Sequence, residues 1–228
     1  DNPFSTIQSG IDASISGDSV FVGPGTYNES IDYNGKQIVV QSIDGPSNTN
    51  INYTGWVSGT VVFNSQEGTG AVLDGFSIIG ESDGDGIYLG ANTGPVLKNL
   101  VIQDKGKAIN AGSSGSSVLI TNVTLVRNDY GIYNYLSSLT VTNSIIWYNN
   151  SVPIFVSNSG SDIDISYSNI QGGELNIGGS GQVIWGEGNI TDNPLFCDFD
   201  NNDYSLAENS TSIGMGALGV GCDPFGEY

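Results

Sequence analysis

The sequence contains no histidine, one methionine and only five lysine and arginine residues, against 24 aspartate and glutamate residues. Without histidine, the chain lacks the commonest general base of enzymes and the commonest metal ligand. The net charge of −19 repels polyanions, which excludes DNA and RNA as partners. No apolar run approaches the roughly 18 residues of a membrane-spanning helix, so we expect no membrane insertion.

Charged residues are also scarce, at 13% of the chain, whereas 33 of the 228 residues are glycine. Coiled coils and helical bundles need abundant alanine, glutamate, lysine and leucine, so this composition excludes them. Hydrophobic residues make up 38% of the chain and recur in short runs, which argues against disorder. The length suits one domain of moderate size or a single elongated solenoid.

A repeat of about 23 residues runs through the middle of the chain. Each copy has alternating apolar residues, a turn residue and a second short apolar run. The copies are AVLDGFSII (71–79), PVLKNLVIQ (95–103), VLITNVTLV (118–126), LTVTNSIIW (139–147) and IDISYSNIQ (163–171). A second series between them places isoleucines at Ile87, Ile109, Ile132 and Ile154. Two independent columns with one period indicate stacked structural repeats.

The repeat predicts an all-β fold, a right-handed parallel β-helix of about seven coils. Alternate apolar residues of each copy should stack inside the solenoid, as should the column Ile78, Ile102, Leu125, Ile146 and Ile170. The turn column should mark a tight corner, because asparagine tolerates a left-handed backbone and can bond its neighbour in the next coil. This column consists of Gly75, Asn99, Asn122, Asn143 and Tyr167.

Both ends of such a solenoid need a cover. Ile7, Ile11 and Ile15 recur at helical spacing, which predicts an amphipathic helix over residues 6–16 that lies across the first coil. Thr6 or Ser5 would be its N-cap. A second cover is predicted at the other end. The expected organisation is one domain, 1–228, with caps at 1–18 and 189–228 around coils at 19–188.

Two cysteines, Cys197 and Cys222, lie in the predicted C-terminal cap. The acidic charge and the high content of asparagine, serine, threonine and glycine favour a secreted protein, with its leader already removed. In that setting we expect a disulfide that closes the cap, worth about 3 kcal/mol in the chain-entropy model. The alternative is a pair of buried free thiols.

Two segments resemble a known family. The opening TIQSGIDASISGDSVFVGPGTYNESI (6–31) is similar to the start of pectin-lyase-like right-handed β-helix proteins. The segment GNITDNPLFCDFDNNDYSLAENSTSIGMGALGVGC (188–222) resembles the C-terminal segment of secreted bacterial surface β-helix proteins. The resemblance implies the β-helix fold and secretion to an extracellular or cell-surface location. It does not select an activity, because this scaffold carries many different functions.

The family that the chain resembles contains several enzyme types, and this sequence lacks the catalytic or metal-binding residues of most of them. Polygalacturonase-like hydrolases use a Gly-His-Gly motif, and the chain has no histidine. Pectin methylesterases use an arginine with paired aspartates, whereas Arg127, the only arginine, has no matching surroundings. Sites for copper would need histidine or methionine, and Met215 is the only methionine.

A calcium-assisted polysaccharide lyase is the enzyme alternative that the residues leave open. Elimination from a uronate needs a strong base and a cation that neutralises the carboxylate. Lys105, Lys107 and Arg127 precede strands on adjacent coils, and Arg127 should stack beside Asp104, 23 residues earlier. These residues could also form a surface ion-pair cluster with little effect on stability.

No cofactor is required by the sequence, but two loops are candidate calcium sites. One contains Asp83 and Asp85, and the other contains Asp198, Asp200 and Asn202 at alternate positions. The second loop lacks the glycine and glutamate of a standard calcium loop. It could equally be a turn before the strand at 203–206.

Three aromatic residues form a column on the second strand series. Tyr88, Tyr133 and Phe155, which we call the aromatic column, should point outward, with Trp147 nearby. Asn110 and Asn176 should occupy the equivalent outward positions of two other coils. The rings could stack against sugars or against copies of the same chain, or they could merely stabilise strand pairing.

The sequence therefore predicts a secreted, non-catalytic β-helix module with a structural or adhesive role. Its partner would be a glycan or another copy of itself. The alternative is the calcium-assisted lyase, which would need its basic residues in an open groove.

Overall fold

The computed structural model describes residues 3–55, 58–80 and 82–224. The chain forms a parallel β-solenoid of about seven turns, with one α-helix near the N-terminus. No helix in the described ranges is long and apolar enough to cross a membrane.

The elements follow one another as short strands between tight corners. In chain order they are α1 Ile7–Ala13, β1 Ser19–Val22, β2 Gly25–Tyr27, β3 Ile31–Asp32, β4 Val39–Ser42, β5 Thr49–Asn52, β6 Val61–Phe63, β7 Val72–Asp74, β8 Ser77–Ile79, β9 Ser82–Leu89, β10 Val96–Gln103, β11 Lys105–Ala111, β12 Ser117–Val126, β13 Tyr130–Asn134, β14 Ser138–Thr142, β15 Ile145–Trp147, β16 Val152–Val156, β17 Asp162–Ser166, β18 Asn169–Ile170, β19 Gly178–Gly179, β20 Gln182–Trp185, β21 Phe196–Asp198, β22 Asp203–Ala207 and β23 Val220–Cys222.

Each face of the solenoid is a parallel sheet made of equivalent strands from successive coils. One sheet has the order β1-β4-β7-β10-β12-β14-β17-β20, and a second has the order β3-β6-β9-β11-β13-β16-β19. A third face joins the first sheet where β10 and β12 continue around the corner, and it contains β2, β5, β8, β15 and β18. The predicted parallel β-helix architecture is confirmed.

The core is a set of side-chain stacks that run along the solenoid. Ile102 of β10 is in register with Leu125 of β12, which in turn faces Ile146 of β15. All three are fully buried, as are Ile78 and Ile170 at either end of the column. The sequence predicted this column because side chains alternate inward and outward along a strand.

The corner after the first sheet uses the predicted turn column. Asn99, Asn122 and Asn143 all have positive φ angles, of 54°, 51° and 49°. Asparagine tolerates this left-handed conformation better than most residues. Its amide also links coils, since Asn122 Nδ2 donates to Asn99 Oδ1 at 3.3 Å. Gly75 and Tyr167 have positive φ as well, so the predicted column is confirmed.

Helix α1 covers the first coil. Thr6 is the N-cap, and its side chain accepts a hydrogen bond from Ser9 N. Ile7 and Ile11 are buried against the core, as predicted. The helix ends at Ala13, earlier than predicted, because the chain must turn into β1. Ile15 therefore lies beyond the helix and is 72% exposed, which corrects the prediction that it packs inward.

The C-terminal segment carries the predicted disulfide, Cys197–Cys222, which joins β21 to β23. These strands and β22 form a small sheet of their own. Its apolar residues pack on the outside of β10, β12 and β15, in a cluster with Val101, Val126 and Ile145. The expected cover over the last coil is thus corrected: this sheet lies along the side of the solenoid, because a strip of outward apolar residues there needs burial.

The last coil keeps an open edge among the described residues. Strands β19 and β20 end their sheets, and each pairs with a neighbour on one side only. Val183 and Trp185 are only partly buried at this end, and Leu175 is fully exposed. The two ends of the solenoid therefore differ, since α1 covers only the first.

Candidate functional site

Lys105, one of the three candidate cations of a lyase, is almost completely buried. The residue is 2% exposed, and its Nζ donates to the Tyr53 carbonyl oxygen at 3.0 Å. The pairing of β11 with β9 shifts register between Lys105 and Lys107. Burial lowers the pKa of Lys105 to about 8, while the charge of Asp104 acts in the opposite direction.

We predict that the stability of the protein rises with pH because of Lys105. Between pH 8 and its ordinary pKa of 10.5, this lysine is deprotonated when folded but still protonated when unfolded. The unfolded state then binds more protons, so raising the pH favours the folded state. Denaturant unfolding across this range should show wild type gaining stability relative to Lys105→Met. Parallel pH profiles of the two proteins would contradict the prediction.

Lys107 is paired with an aspartate on the preceding coil. Its Nζ lies 3.8 Å from Asp85 Oδ1, and the two residues are in register between β9 and β11. Asp85 also accepts a hydrogen bond from Asn110 Nδ2. Burial raises the pKa of Asp85, and both neighbours oppose this shift. Asp85, a candidate calcium ligand, therefore already has a cationic partner within the protein, Lys107.

Arg127 stacks beside Asp104, as its spacing predicted. Its Nε lies 2.9 Å from Asp104 Oδ1, and its Nη1 donates to Asn202 Oδ1 at 2.7 Å. Asp129, two residues after Arg127, accepts a hydrogen bond from Asn150 Nδ2 at 3.2 Å. The guanidinium therefore joins a corner of the solenoid to the C-terminal segment.

In the candidate calcium loop at 198–202, Asp198 and Asn202 already accept hydrogen bonds from the protein. Asp198 caps a short 3₁₀ turn, where its carboxylate accepts from the backbone and the side chain of Asn201. Asn202 Oδ1 accepts from Arg127 and from the Tyr204 hydroxyl. Asp200 is exposed beside them. The side chain of Asp83, in the other loop, lies outside the described part of the structure.

Within the ranges that the structure describes, no three acidic or cysteine side chains are grouped so that they could hold a metal ion. Both calcium sites therefore stay predictions.

The aromatic column occupies equivalent positions on three coils. Tyr88 and Tyr133 are each in register with Asn110, and Tyr133 is in register with Phe155. The next position is Gly178, not the expected Asn176, which lies in a 3₁₀ turn before β19.

The rings of the column pack against their own neighbours. Tyr133 and Phe155 stack in parallel, with centroids 5.3 Å apart and planes 12° apart. Lys107 Nζ lies 5.1 Å from the centroid of the Tyr133 ring. Since Lys107 belongs to the preceding coil and Phe155 to the following one, both faces of Tyr133 are covered. Tyr130 adds edge contacts to both rings, at 5.8 and 6.2 Å.

Trp147 lies on a different face from the aromatic column. It is 9% exposed, in the cluster beneath the C-terminal segment, and its Nε1 donates to Asn169 Oδ1 at 2.7 Å. The expectation that it contributes to the same contact surface is corrected, because the folded-back segment covers this ring.

Two asparagines at the next corner, Asn128 and the half-buried Asn149, were not anticipated. Asn128 is fully buried, and its Nδ2 donates to Ile102 O, Val126 O and Asn149 Oδ1. Asn149 Nδ2 donates in turn to Leu125 O. The signal was present in the sequence, since both asparagines follow a corner residue with the same 21-residue spacing as the turn column there.

A scan against protein-family models finds no family that matches the chain. A search of curated proteins finds no matching relative.

Proposed function

We propose that this chain is a secreted, non-catalytic β-helix module with a structural or adhesive role at a cell surface or in extracellular material. The observation that carries the proposal is the state of its basic residues. Lys105, Lys107 and Arg127 each bond to a different acceptor inside the protein. A lyase would need such groups free in a groove, whereas a structural module uses them to bind its coils together.

The disulfide is compatible with an extracellular location, since such bonds persist in oxidising environments. The parallel solenoid and the two terminal segments that resemble pectin-lyase-like proteins support a place in that superfamily, as part of the same proposal.

The contact surface in this proposal is the aromatic column. Because both faces of Tyr133 are covered, a sugar ring has no open face there on which to lie flat. A broad partner can instead rest against the half-buried rings along several coils. Association with another copy of the chain therefore fits this surface better than stacking on a single sugar.

The test is a double variant, Tyr88→Ala with Tyr133→Ala. Each ring should contribute on the order of 1 kcal/mol, so the pair should weaken association roughly 30-fold. Sedimentation and electron microscopy of concentrated protein would measure assembly, and a glycan array would measure adhesion. Tyr135→Ala, at an exposed tyrosine outside the column, is the matched control. If both variants behave like wild type in all three assays, the aromatic column is not a contact surface.

The calcium-assisted lyase is the second candidate, and the lowered pKa of Lys105 is the observation that favours it. We expect no activity, because that amine is buried and bonded. Uronate elimination forms a conjugated double bond that absorbs ultraviolet light. Pectate and alginate, with and without calcium, should give no rise in absorbance. A steady rise that Lys107→Ala or Arg127→Ala abolishes would reverse the ranking of the two functions.

A further inference from the structure

A cleft of about 340 Å³ lies between the coils and the C-terminal segment, away from the aromatic column. Its floor is made of outward side chains of β5, β8 and β10, which alternate with the buried core residues of the same strands. The loop before β5 forms one wall. The turn between β21 and β22 forms the other. The residues used below are Ser47, Asn50, Ile79, Gln103, Asp203 and Leu218.

The wall formed by the C-terminal segment is anchored firmly. Tyr204 packs in the apolar cluster with Val101 and Val126, and its hydroxyl donates to Asn202 Oδ1. Arg127 donates to the same oxygen from the solenoid side. The apolar cluster extends along β10, β12 and β15, and β5 and β8 lie outside it. The cleft therefore lies beside the edge of the packed C-terminal segment, over β5 and β8.

Gln103 is the unusual residue of this cleft. It is 8% exposed, yet its side-chain amide makes no hydrogen bond to any residue in the described ranges. Other buried amides donate to the protein itself: Asn128 and Asn169 each donate two or more bonds to protein atoms. Among the described residues, the Oδ1 atoms of Asn110 and Asn134 are buried without a partner. Buried polar groups in proteins nearly always have a partner. The Gln103 amide lines the cleft and is not among the fully buried atoms that lack a partner, so it takes its partner from the water or ligand that occupies the cleft.

The chemistry of the cleft selects a small, neutral, hydroxyl-bearing ligand. The Gln103 amide offers both a donor and an acceptor, as sugar hydroxyls require. Ile79 and Leu218 supply apolar surface for the carbon face of a ring. None of the described residues that line the cleft is cationic, and the Asp203 carboxylate opposes an anion. The volume is at the lower end of the range for small-molecule sites, which is roughly 300–1,000 Å³.

We propose that this cleft binds a single neutral sugar residue, free or at the end of a glycan chain, through the Gln103 amide. Asn50, whose Nδ2 donates to Thr26 Oγ1 at 3.4 Å, is a second polar residue on the floor of the cleft. This site lies on a different face from the aromatic column, so it stands independently of the self-association proposed above.

The test follows the side-chain amide signal of Gln103 by NMR during titration with free sugars. The probes are glucose, galactose, mannose and N-acetylglucosamine, with galacturonate as the anionic counterpart of galactose. At least one neutral sugar should shift this signal saturably, with a Kd in the millimolar range. Galacturonate should bind at least about tenfold more weakly than galactose, because of the charge of Asp203.

Variants then locate the site, with backbone amide shifts and calorimetry as the readout. Gln103→Leu keeps the side-chain size and should weaken binding roughly tenfold or more, because sugar hydroxyls lose their partner. Gln182→Leu, at an exposed glutamine on the last coil, should leave it unchanged. Ser47→Trp should block the mouth of the cleft without disturbing the core, because Ser47 is exposed. This variant tests the site even if Gln103→Leu does not fold.

The Tyr88→Ala and Tyr133→Ala double variant should bind the sugar as wild type does, so the two proposals fail separately. Absence of a saturable shift with all four neutral sugars overturns the cleft proposal. Equal binding by wild type and the Ser47→Trp variant overturns it as well.

Discussion

Replacement of Leu125 by alanine should lower the free energy of unfolding by about 2–5 kcal/mol. Leu125 is fully buried in the middle of the column between Ile102 and Ile146. Its removal leaves a cavity that the stacked coils cannot close, because hydrogen bonds along both neighbouring strands hold the spacing of the coils. The substitution therefore loses both the transfer of the side chain from water and the packing around it.

Urea or thermal unfolding followed by circular dichroism would measure this loss. Leu119→Ala is the matched control, because Leu119 lies on the same strand, points outward and is 45% exposed. The control should change stability by no more than about 0.5 kcal/mol. Equal effects of the two substitutions would show that the inward and outward positions of β12 are assigned wrongly.

Removal of the disulfide by Cys197→Ser with Cys222→Ser should cost about 3 kcal/mol in the chain-entropy model. The bond closes a loop between residues 25 apart and ties β21 to β23. Without it, the small C-terminal sheet loses its internal cross-link and should detach before the solenoid unfolds, because only the apolar cluster on β10, β12 and β15 and a few hydrogen bonds, such as that from Arg127 to Asn202, then hold it. Trp147 would then be exposed to water.

Tryptophan fluorescence during denaturation should therefore show a transition in the serine variant that precedes the loss of β-sheet circular dichroism. The same variant with Trp147→Phe should lose this early signal, which assigns it to the C-terminal segment. Intact-mass measurement of non-reduced wild type should show the loss of two protons that the bond requires. A single coincident transition in the serine variant would contradict independent detachment of the segment.

The periodic part of the molecule was predictable residue by residue. Leu97, Ile120 and Val141 alternate with outward-facing residues and recur once per coil, and the structure places them in register and buried. Each of these positions has the same neighbours as its equivalent one coil away. A local pattern repeated at a fixed spacing therefore determines both the fold and the inward face.

Predictions failed where a residue has no equivalent in the next coil. Ile15 continues the spacing of Ile7 and Ile11, but α1 ends before it, so the helical pattern overestimated the length of the helix. Asn176 was expected in line with Phe155, but a 3₁₀ turn shifts the register and brings Gly178 there. Such boundaries depend on how the chain enters or leaves the repeat, which periodicity does not encode.

The sequence alone determined the solenoid, its core columns and its asparagine corner, whereas the structure decided between a disulfide and two free thiols at Cys197 and Cys222. Tertiary structure decided where residues 189–224 lie, and with them the burial of Trp147, the bond between Arg127 and Asn202, and the cleft at Gln103. The physical reason is that a repeat brings equivalent residues together at a known spacing. A non-repeating segment instead finds its place through one set of long-range apolar contacts, and no spacing in the sequence records those contacts.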